Sequence, residues 1–212
     1  MNLNKHLEFI QPSVYTKPIH IIGVGAIGSR IAEVLTRLGF NNLVVYDFDI
    51  VEDANVTNQL YTYPDLGVLK VDALERHLKD INPNLKLTKM GAYEEQNLSG
   101  VVFLCVDSIN TRRLITEKHL RNLSIDAMFD ARMRLTDGQA YGANWADGNH
   151  VSAFLNTMQF DDKDDQTPLS VCGSSLSVAP TILTLVSLTV MNFMRYIKKQ
   201  EIKQAIFVDT LD

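Results

Sequence analysis

Cysteine is scarce in this chain of 212 residues, which contains only Cys105 and Cys172. A four-cysteine zinc site therefore cannot form within one chain, and a disulfide framework would need more cysteines. The five histidines show no spacing typical of metal ligands. We therefore predict no zinc site, and we expect a protein of a reducing compartment, the cytoplasm.

Positive charge is also in short supply. The chain has 20 lysines and arginines against 25 aspartates and glutamates, a formal net charge of −5, and no block of basic residues. This balance argues against nucleic acid as the main partner. The N-terminal segment lacks the apolar core of a signal peptide.

Long apolar runs are rare, and the one that approaches membrane-spanning length extends from Leu176 to Met194 without a charged residue. Serine, threonine, asparagine and proline interrupt it at seven positions. Such residues favour a helix buried in the core or at a subunit interface over a membrane span. We therefore expect no membrane association.

The chain does contain one strongly patterned stretch, from Ile19 to Asp49. A short apolar run is followed by a glycine turn, a helix-like period, a second apolar run and an acid; the marked positions are Gly23, Gly25, Gly28, Gly39 and Asp47. Glycines at such a turn let the backbone approach a phosphate at the helix N-terminus, and the acid can bind a ribose hydroxyl. The pattern predicts nucleotide binding without naming the nucleotide.

The rest of the chain alternates helical and strand-like segments. We predict helices over 3–10, 70–81 and 110–120 (Leu114 and Ile115 inward), strands over 85–89, 101–106, 125–129 and 205–208, a hairpin around Asp147-Gly148-Asn149 within 139–155, and loops over 50–69 and 160–167. No repeat or linker divides the chain. The sequence therefore predicts one α/β domain over residues 1–212, a Rossmann-like, doubly wound, mostly parallel sheet with an added antiparallel hairpin in the C-terminal half.

Three aspartates, Asp47, Asp107 and Asp130, follow predicted strands directly. Ligands of open α/β sheets bind beyond the carboxyl ends of the strands, so these acids are candidate ligand-binding residues. A strand-end aspartate is also a common N-cap of the next helix, and that alternative stays open for each of them.

By residue 70 the pattern resembles the ThiF/MoeB superfamily, which includes the adenylation domains of ubiquitin-activating enzymes. Five short motifs in the family's order carry the resemblance: Gly23-Val24-Gly25-Ala26-Ile27-Gly28, Asp47-Phe48-Asp49, Asn55-Val56-Thr57-Asn58-Gln59, Asp65-Leu66-Gly67-Val68-Leu69-Lys70 and Asp107-Ser108-Ile109-Asn110-Thr111-Arg112. The stretch Asp130-Ala131-Arg132-Met133 also resembles short ThiF-type proteins of phages and plasmids. The likeness covers roughly residues 19–195.

The resemblance implies a homodimer that uses ATP and Mg²⁺ to adenylate a carboxylate, usually at the Gly-Gly tail of a ubiquitin-like or sulfur-carrier protein. It implies that Asp47 holds the ribose, that Lys70 reaches the phosphates and that Asp107 holds the metal. Asn55 and Gln59 would be polar contacts of the triphosphate, Asp49 an accessory acid, and Arg112 a catalytic residue in register with Asp107.

The chain departs from the family pattern at one position. The family's loop arginine, which stabilises the leaving phosphates, is Asn58 here. Arg30, Arg132 or a residue of a neighbouring subunit are candidates to supply the charge. The alternative is a site reduced to binding alone.

Cysteine chemistry gives a further candidate. Cys172 precedes the last long helix, close to where relatives carry a cysteine that forms a thioester, and a thiol near a helix N-terminus can become nucleophilic. A structural thiol is the reading we favour for Cys172. Cys105 lies in an apolar run and is predicted to be part of the core.

Two other functions fit parts of the same pattern. A nicotinamide-dependent oxidoreductase would use the glycine turn but would not need Lys70 or the Asp107 and Arg112 pair. A non-catalytic ThiF-like protein would bind a ubiquitin-like protein or an active relative without turnover.

Overall fold

The computed structural model describes residues 1–164 and 176–211. In these residues one sheet contains seven strands, β1 (Ile19–Ile22), β2 (Asn42–Tyr46), β3 (Lys86–Met90), β4 (Gly100–Leu104), β5 (Ile125–Met133), β6 (Asp137–Asn144) and β7 (Ala205–Asp209). The α-helices of the described part are α1 (Ala26–Leu38), α2 (Lys70–Ile81), α3 (Ile109–Lys118), α4 (Gly148–Asn156) and α5 (Ala179–Lys199).

The strands lie in the order β3-β2-β1-β4-β5-β6-β7. The strands from β3 to β5 pair in parallel, whereas β6 pairs antiparallel with both β5 and β7. This topology confirms the predicted class, a doubly wound and mostly parallel sheet with an antiparallel addition. Successive strands are added on one side of β1 up to β3 and on the other side from β4 onward. The strand order therefore reverses at β1, and a crevice opens at the carboxyl ends of β1, β2 and β4.

Helices cover both faces of the sheet. On one face α1, α2 and α5 pack around a core in which Phe193 of α5 contacts the rings of Phe40, Phe103 and Phe129. On the other face α3 and α4 contribute Ile115 and other apolar side chains to a second core. The sheet is therefore buried on both sides, which explains the continuous apolar runs of β1 and β4.

The glycine turn and α1 form as predicted. Ile19–Ile22 is fully buried as β1, and α1 ends at Gly39, whose φ of 91° is left-handed. Phe40 then donates its N–H to the carbonyl of Leu35. This is the glycine-dependent helix termination that the sequence indicates.

The long uncharged run forms α5, and the predicted buried helix is confirmed. By length and composition α5 could cross a membrane, yet 56% of its apolar stretch of 18 residues is buried inside the fold. The helix packs there against α1, β5 and β6. Two of its hydroxyls bond within the helix, since Ser187 donates to the carbonyl of Leu183 and Thr189 to the carbonyl of Leu185, both at 2.8 Å. Internal bonds of this kind let polar side chains occupy an apolar interface.

The predicted hairpin around residues 147–149 is wrong. β6 ends at Asn144, and the helix α4 follows from Gly148. The carboxylate of Asp147 accepts hydrogen bonds from the N–H groups of Asn149 and His150 and so caps α4. The antiparallel hairpin of the fold is instead formed by β5 and β6.

Smaller differences concern individual residues. Leu114 is 66% exposed, so only Ile115 points inward from that pair on α3. β5 continues to Met133, which places Asp130 inside a strand rather than at its end. Residues 3–10 form hydrogen-bonded turns instead of a helix. The predicted loop over 160–167 is described only as far as residue 164, and its remainder lies outside the described residues.

Candidate functional site

A cleft of about 860 Å³ opens at the carboxyl ends of β1, β2 and β4. Its wall includes Asp47, Lys70 and Asp107, which come from three separate segments of the chain. The glycine turn after β1 lines the same cleft through Gly23 and Gly25. The structure therefore brings two of the three predicted strand-end acids, Asp47 and Asp107, to one place with the lysine and the glycine turn.

The three glycines of the turn meet different constraints. A Cβ on Gly23 (φ 88°) would lie 2.8 Å from the carbonyl oxygen of Cys105, and a Cβ on Gly28 would lie 1.9 Å from the carbonyl oxygen of Gly23. At Gly25 the only described atom within 4 Å of a Cβ is Nε2 of Gln59, at 4.0 Å. Gly23 and Gly28 are thus required for packing, whereas Gly25 leaves open space on the cleft side.

The N-terminus of α1 faces this open space. Its N-cap is Gly25, which has no side chain to cap the helix, and Gly25, Ala26 and Ile27 line the cleft. The first N–H groups of an α-helix have no partner within the helix and carry part of its positive dipole. This end of α1 can therefore receive an anion such as a phosphate.

Asp47 braces the glycine turn from the end of β2. One carboxylate oxygen accepts the N–H of Val24 at 2.8 Å, and the other accepts the N–H of Asp49 at 2.9 Å. The hydroxyl of Tyr61 donates to the carbonyl of the same residue, Val24, at 2.7 Å. Asp47 is half-buried and holds the turn while lining the cleft.

Lys70 is held at the cleft wall by Asp49. Its Nζ donates to Oδ2 of Asp49 at 2.8 Å, and its backbone N–H donates to the carbonyl of Asp49 at the same distance. Lys70 is buried and is the first residue of α2. An ammonium has three N–H donors, so one bond to Asp49 leaves donors for a further anion.

The polar residues of the loop after β2 divide into two groups. Gln59 lines the cleft, and its side-chain oxygen is buried without a partner in the described part of the chain. Asn55 bonds within its own loop, where its Oδ1 accepts the N–H of Glu52 at 2.9 Å, and it does not contribute to the cleft wall. Arg30 likewise lies behind the wall, bonded to the carbonyl of Gln59 at 2.9 Å and paired with Glu33.

Asn58 joins this loop to the segment before α5. Its amide nitrogen donates to Oγ of Ser177 at 2.5 Å, and Ser177 lines the cleft. The amide oxygen of Asn58 is buried without a partner among the described residues. The position that resembles the family's loop arginine is therefore occupied by a residue that links two segments of the wall.

Asp107 is exposed at the end of the segment that follows β4. Its Oδ1 accepts the N–H of Ser108 at 2.8 Å, and Ser108 caps α3 by accepting the N–H of Thr111 at 3.1 Å. The helix cap that the sequence left open as an alternative for Asp107 is thus provided by its neighbour. Asp107 keeps its carboxylate at the cleft surface.

Arg112 belongs to a buried charged cluster with Asp130 and Arg132. Asp130 is fully buried and accepts hydrogen bonds from both arginines. Arg132 continues to the carbonyl of Thr157 at 2.7 Å and lies over the ring of Tyr141, 4.7 Å from its centre. Because two guanidinium groups share one carboxylate, the cluster carries one excess positive charge. Both arginines line the cleft.

The role predicted for Asp130 as a ligand acid at a strand end is therefore wrong. Its position inside β5, opposite Leu104 of β4, makes it the buried counterion of the two arginines. The sequence indicated a strand end here because the charged Asp130 interrupts the apolar run, whereas β5 continues three residues beyond it to Met133.

Of the two cysteines, Cys105 belongs to the described residues. Cys105 lies beneath the glycine turn, and burial raises the pKa of its thiol to about 12. A thiol with such a pKa is not a nucleophile near neutral pH. Cys172, the predicted thioester candidate, lies outside the described residues.

Several residues of the wall were not predicted from the sequence. They include Tyr46, Tyr93, Arg134, Asp137, Phe160, Asp162, Leu176 and Ser177. Asp162 belongs to the acidic run 160–167 that was predicted to be a solvated loop. Its carboxylate instead accepts hydrogen bonds from Oγ of Ser108 at 2.7 Å and the N–H of Ile109 at 2.5 Å. A contact between residues 53 positions apart leaves no local pattern in the sequence from which it could be predicted.

The topology, the glycine turn and the strand-end crevice together define a Rossmann-like α/β domain of the class that binds nucleotides at its switch point. The chain belongs to the ThiF family, whose model matches residues 11–211.

Curated relatives are similar to part of the chain. Ubiquitin-like modifier-activating enzyme 5 of Aedes aegypti is 32% identical over 118 residues, which are 47% of this chain and 30% of that protein. The enzyme of the same name from Drosophila persimilis is 39% identical over 87 residues, 41% of this chain and 22% of that protein. The chain thus matches less than a third of the length of these relatives.

Solved structures share the fold over nearly the whole chain. PaaA superposes with a TM-score of 0.72 at 17% identity, covering 97% of this chain and 66% of that one. E. coli MccB with ATP superposes with a TM-score of 0.68 at 15% identity, covering 94% of this chain and 65% of that one. The chain therefore spans about two thirds of each neighbour, and at these identities the likeness concerns the fold.

Proposed function

We propose that the protein is an ATP-dependent adenylyltransferase. It activates a carboxylate, at the C-terminus of a ubiquitin-like or sulfur-carrier protein, as an acyl-adenylate. The observation that carries this proposal is the convergence of Asp47, Lys70 and Asp107 with the uncapped N-terminus of α1 on one cleft. A bare structural glycine turn would not need a buried lysine and an exposed acid beside it.

The cleft suits a nucleoside triphosphate in size and polarity. Its volume of about 860 Å³ lies within the range of roughly 300–1,000 Å³ for small-molecule sites. The phosphates would lie against the N–H groups after Gly25, where a Cβ would fill the space, and near the ammonium of Lys70. Asp47 would accept the ribose hydroxyls, and Gln59 has a buried amide oxygen that lacks a partner.

The donor set of the cleft fits magnesium. The described residues contain no group of three or more histidines, cysteines, aspartates or glutamates that could hold a metal by themselves. Mg²⁺ is usually bound by one or two carboxylates together with substrate phosphates and water. The exposed carboxylate of Asp107 would supply that ligand, and a bound Mg²⁺ would neutralise charge on the phosphates.

The chemistry requires the chain to bring two anions together. The substrate carboxylate forms a new oxygen–phosphorus bond at the α-phosphate of ATP, the bond to the β-phosphate oxygen breaks, and pyrophosphate leaves. The groups of this chain would orient both reactants and lower their mutual repulsion. The excess positive charge of the Arg112, Asp130 and Arg132 cluster supports this role, and Arg132 adds charge that Asn58 does not supply.

The comparisons support a protein or peptide as the partner. The curated relatives are named ubiquitin-like modifier-activating enzymes, and MccB has been solved with MccA. We take the acceptor to be a carrier protein with a Gly-Gly tail, the active form to be a homodimer and the compartment to be the cytoplasm. A thioester on Cys172 is not required by this reaction.

Two measurements test the proposal. Thermal unfolding is followed with ATP and Mg²⁺ and, separately, with NAD; stabilisation by ATP and Mg²⁺ alone supports the proposal, and stabilisation by NAD alone indicates an oxidoreductase. Exchange of labelled pyrophosphate into ATP is then measured with candidate carriers ending in Gly-Gly. ATP binding without exchange for any carrier would instead indicate a non-catalytic partner protein.

A further inference from the structure

The N-termini of α1 and α3 both face the cleft, and they differ in what fills them. The N-terminus of α1 begins at Gly25 and has no side-chain cap. The N-terminus of α3 is filled by protein groups, because Ser108 accepts the N–H of Thr111 and Asp162 accepts the N–H of Ile109. An anion entering the cleft therefore finds free donors at α1 and occupied donors at α3.

The carboxylate of Asp162 is engaged on both oxygens. Oδ1 accepts the N–H of Ile109 at 2.5 Å, and Oδ2 accepts the hydroxyl of Ser108 at 2.7 Å. Ser108 also donates its N–H to Asp107 at 2.8 Å. Ser108 thus connects two carboxylates, and both of them line the cleft.

We propose that Asp162 is a positioning residue of the metal site, which turns the end of α3 from an anion-attracting into a cation-attracting surface beside Asp107. This inference rests on the proposed function. By taking the hydroxyl of Ser108 and the N–H of Ile109, Asp162 keeps these donors away from Asp107. The carboxylate of Asp107 is then left to the metal.

The charge of Asp162 acts in the same direction. The N-terminus of a helix carries roughly half a positive charge, which repels a cation and attracts a phosphate. A full negative charge bound at that end reverses its sign. The triphosphate is then drawn to α1 and Lys70, and the metal is drawn to the side of the cleft where Asp107 lies.

The backbone around Asp162 is held independently of this charge. Arg113 donates to the carbonyls of Met158 at 3.1 Å and Phe160 at 3.2 Å. Asp162 is exposed. The substitution Asp162→Asn therefore removes the charge but keeps the contacts of Arg113 that hold the backbone before residue 162 in place. Asp161→Asn is the charge control, since it removes a neighbouring carboxylate that pairs with Arg113 and Lys163.

The experiment measures binding without turnover. Binding of Mn²⁺ to the protein with the ATP analogue AMPCPP is followed by the paramagnetic resonance of free Mn²⁺. Binding of inorganic pyrophosphate without metal is followed by calorimetry. For Asp162→Asn we expect the affinity for Mn²⁺ to fall about five- to tenfold and that for pyrophosphate to rise severalfold, with Asp161→Asn within about twofold of the parent protein.

The outcomes separate this inference from the function on which it rests. If the parent protein binds neither AMPCPP nor Mn²⁺ in its presence, the proposed function fails and takes this inference with it. If the parent protein binds both and Asp162→Asn matches it, only the role of Asp162 is overturned. Equal losses in Asp161→Asn and Asp162→Asn would also overturn it, because they would reflect net charge alone.

Discussion

Lys70 and Asp49 form an ion pair at 2.8 Å in which the lysine side chain is 9% exposed and the aspartate side chain 50% exposed. The ammonium is therefore withdrawn from solvent, while its counterion remains hydrated. Such a pair holds the positive charge at a fixed place on the cleft wall without requiring that both charges be buried.

Replacing Lys70 with Met tests whether this charge binds the nucleotide. Loss of an ammonium–phosphate hydrogen bond should lower the affinity for ATP about ten- to a hundredfold, whereas stability should change little because Asp49 stays hydrated. Calorimetric titration with ATP and thermal unfolding measure the two effects. Lys89→Met is the control, since Lys89 pairs with Asp72 and Glu75 away from the cleft; equal losses in both variants would contradict the assignment.

Alanine at Gly25 should weaken ATP binding without unfolding the protein, whereas alanine at Gly28 should lower the stability of the fold. Gly25→Ala adds a methyl group to open space, so stability should stay within about 0.5 kcal/mol while ATP affinity falls about tenfold or more through lost phosphate contact. Gly28→Ala forces a Cβ against the carbonyl of Gly23 and should cost about 3 kcal/mol or more. Thermal unfolding and ATP titration distinguish them; a stable Gly28→Ala or a tight-binding Gly25→Ala would refute this division.

Asp107→Ala should abolish nucleotide turnover without unfolding the protein. The side chain is exposed, and within residues 1–164 and 176–211 its hydrogen bond is to the neighbouring Ser108, so little stability depends on it. Pyrophosphate exchange over a series of Mg²⁺ concentrations, with thermal unfolding as the check on folding, measures both effects. Turnover that survives the substitution would mean that Asp107 does not hold the metal.

Asn58→Arg should leave activity unchanged or raise it, because the arginine would add positive charge near the phosphates. The substitution also breaks the bond to Ser177, so Asn58→Ala is needed to show the effect of that loss alone. Initial rates of pyrophosphate exchange compare the two variants. A large loss in Asn58→Arg beyond that of Asn58→Ala would show that the loop does not point this position at the phosphates.

Acid should destabilise the protein through Asp65. Burial raises the pKa of this carboxyl, but hydrogen bonds from His77 and Thr62 outweigh burial and hold it below its usual value of 3.8. Because the folded-state pKa is depressed, the stabilisation is present above pH 4 and is lost as the pH falls through the folded-state pKa.

Asp65→Asn should remove this part of the pH dependence and cost about 1–3 kcal/mol near neutral pH, since His77, Arg76 and Thr62 lose a buried, charged acceptor. Denaturant unfolding of both proteins between pH 6 and pH 3 makes the comparison. Parallel stability curves for Asp65→Asn and the parent protein would show that Asp65 does not contribute to acid sensitivity.

The first half of the fold was predictable because its signals are local. The apolar run at 19–22, the helical period ending at Gly39 and the acid at 47 each depend on neighbouring residues. Asp147-Gly148-Asn149 was misread for the opposite reason, because the residues that favour a turn also favour a helix cap. Only the contact of Asp147 with the following N–H groups decides between them.

The candidate site was predictable in part. The positions of Asp47, Lys70 and Asp107 followed from motif order, whereas the pairing of Arg112 with Asp130 needed the β4–β5 register. Ser177 and Asp162 reach the cleft through contacts 119 and 54 residues away in sequence. Contacts over such separations depend on packing, which periodicity does not record.

The late position of Phe193 in the chain affects how the core forms during synthesis on the ribosome. Its ring closes the aromatic cluster of Phe40, Phe103 and Phe129, yet it is among the last residues of that cluster to be translated. Until α5 leaves the exit tunnel, the rings of Phe40, Phe103 and Phe129 lack this partner, and the nascent chain exposes apolar surface of the kind that chaperones bind. Nucleotide capture during translation is therefore expected to await the emergence of this helix.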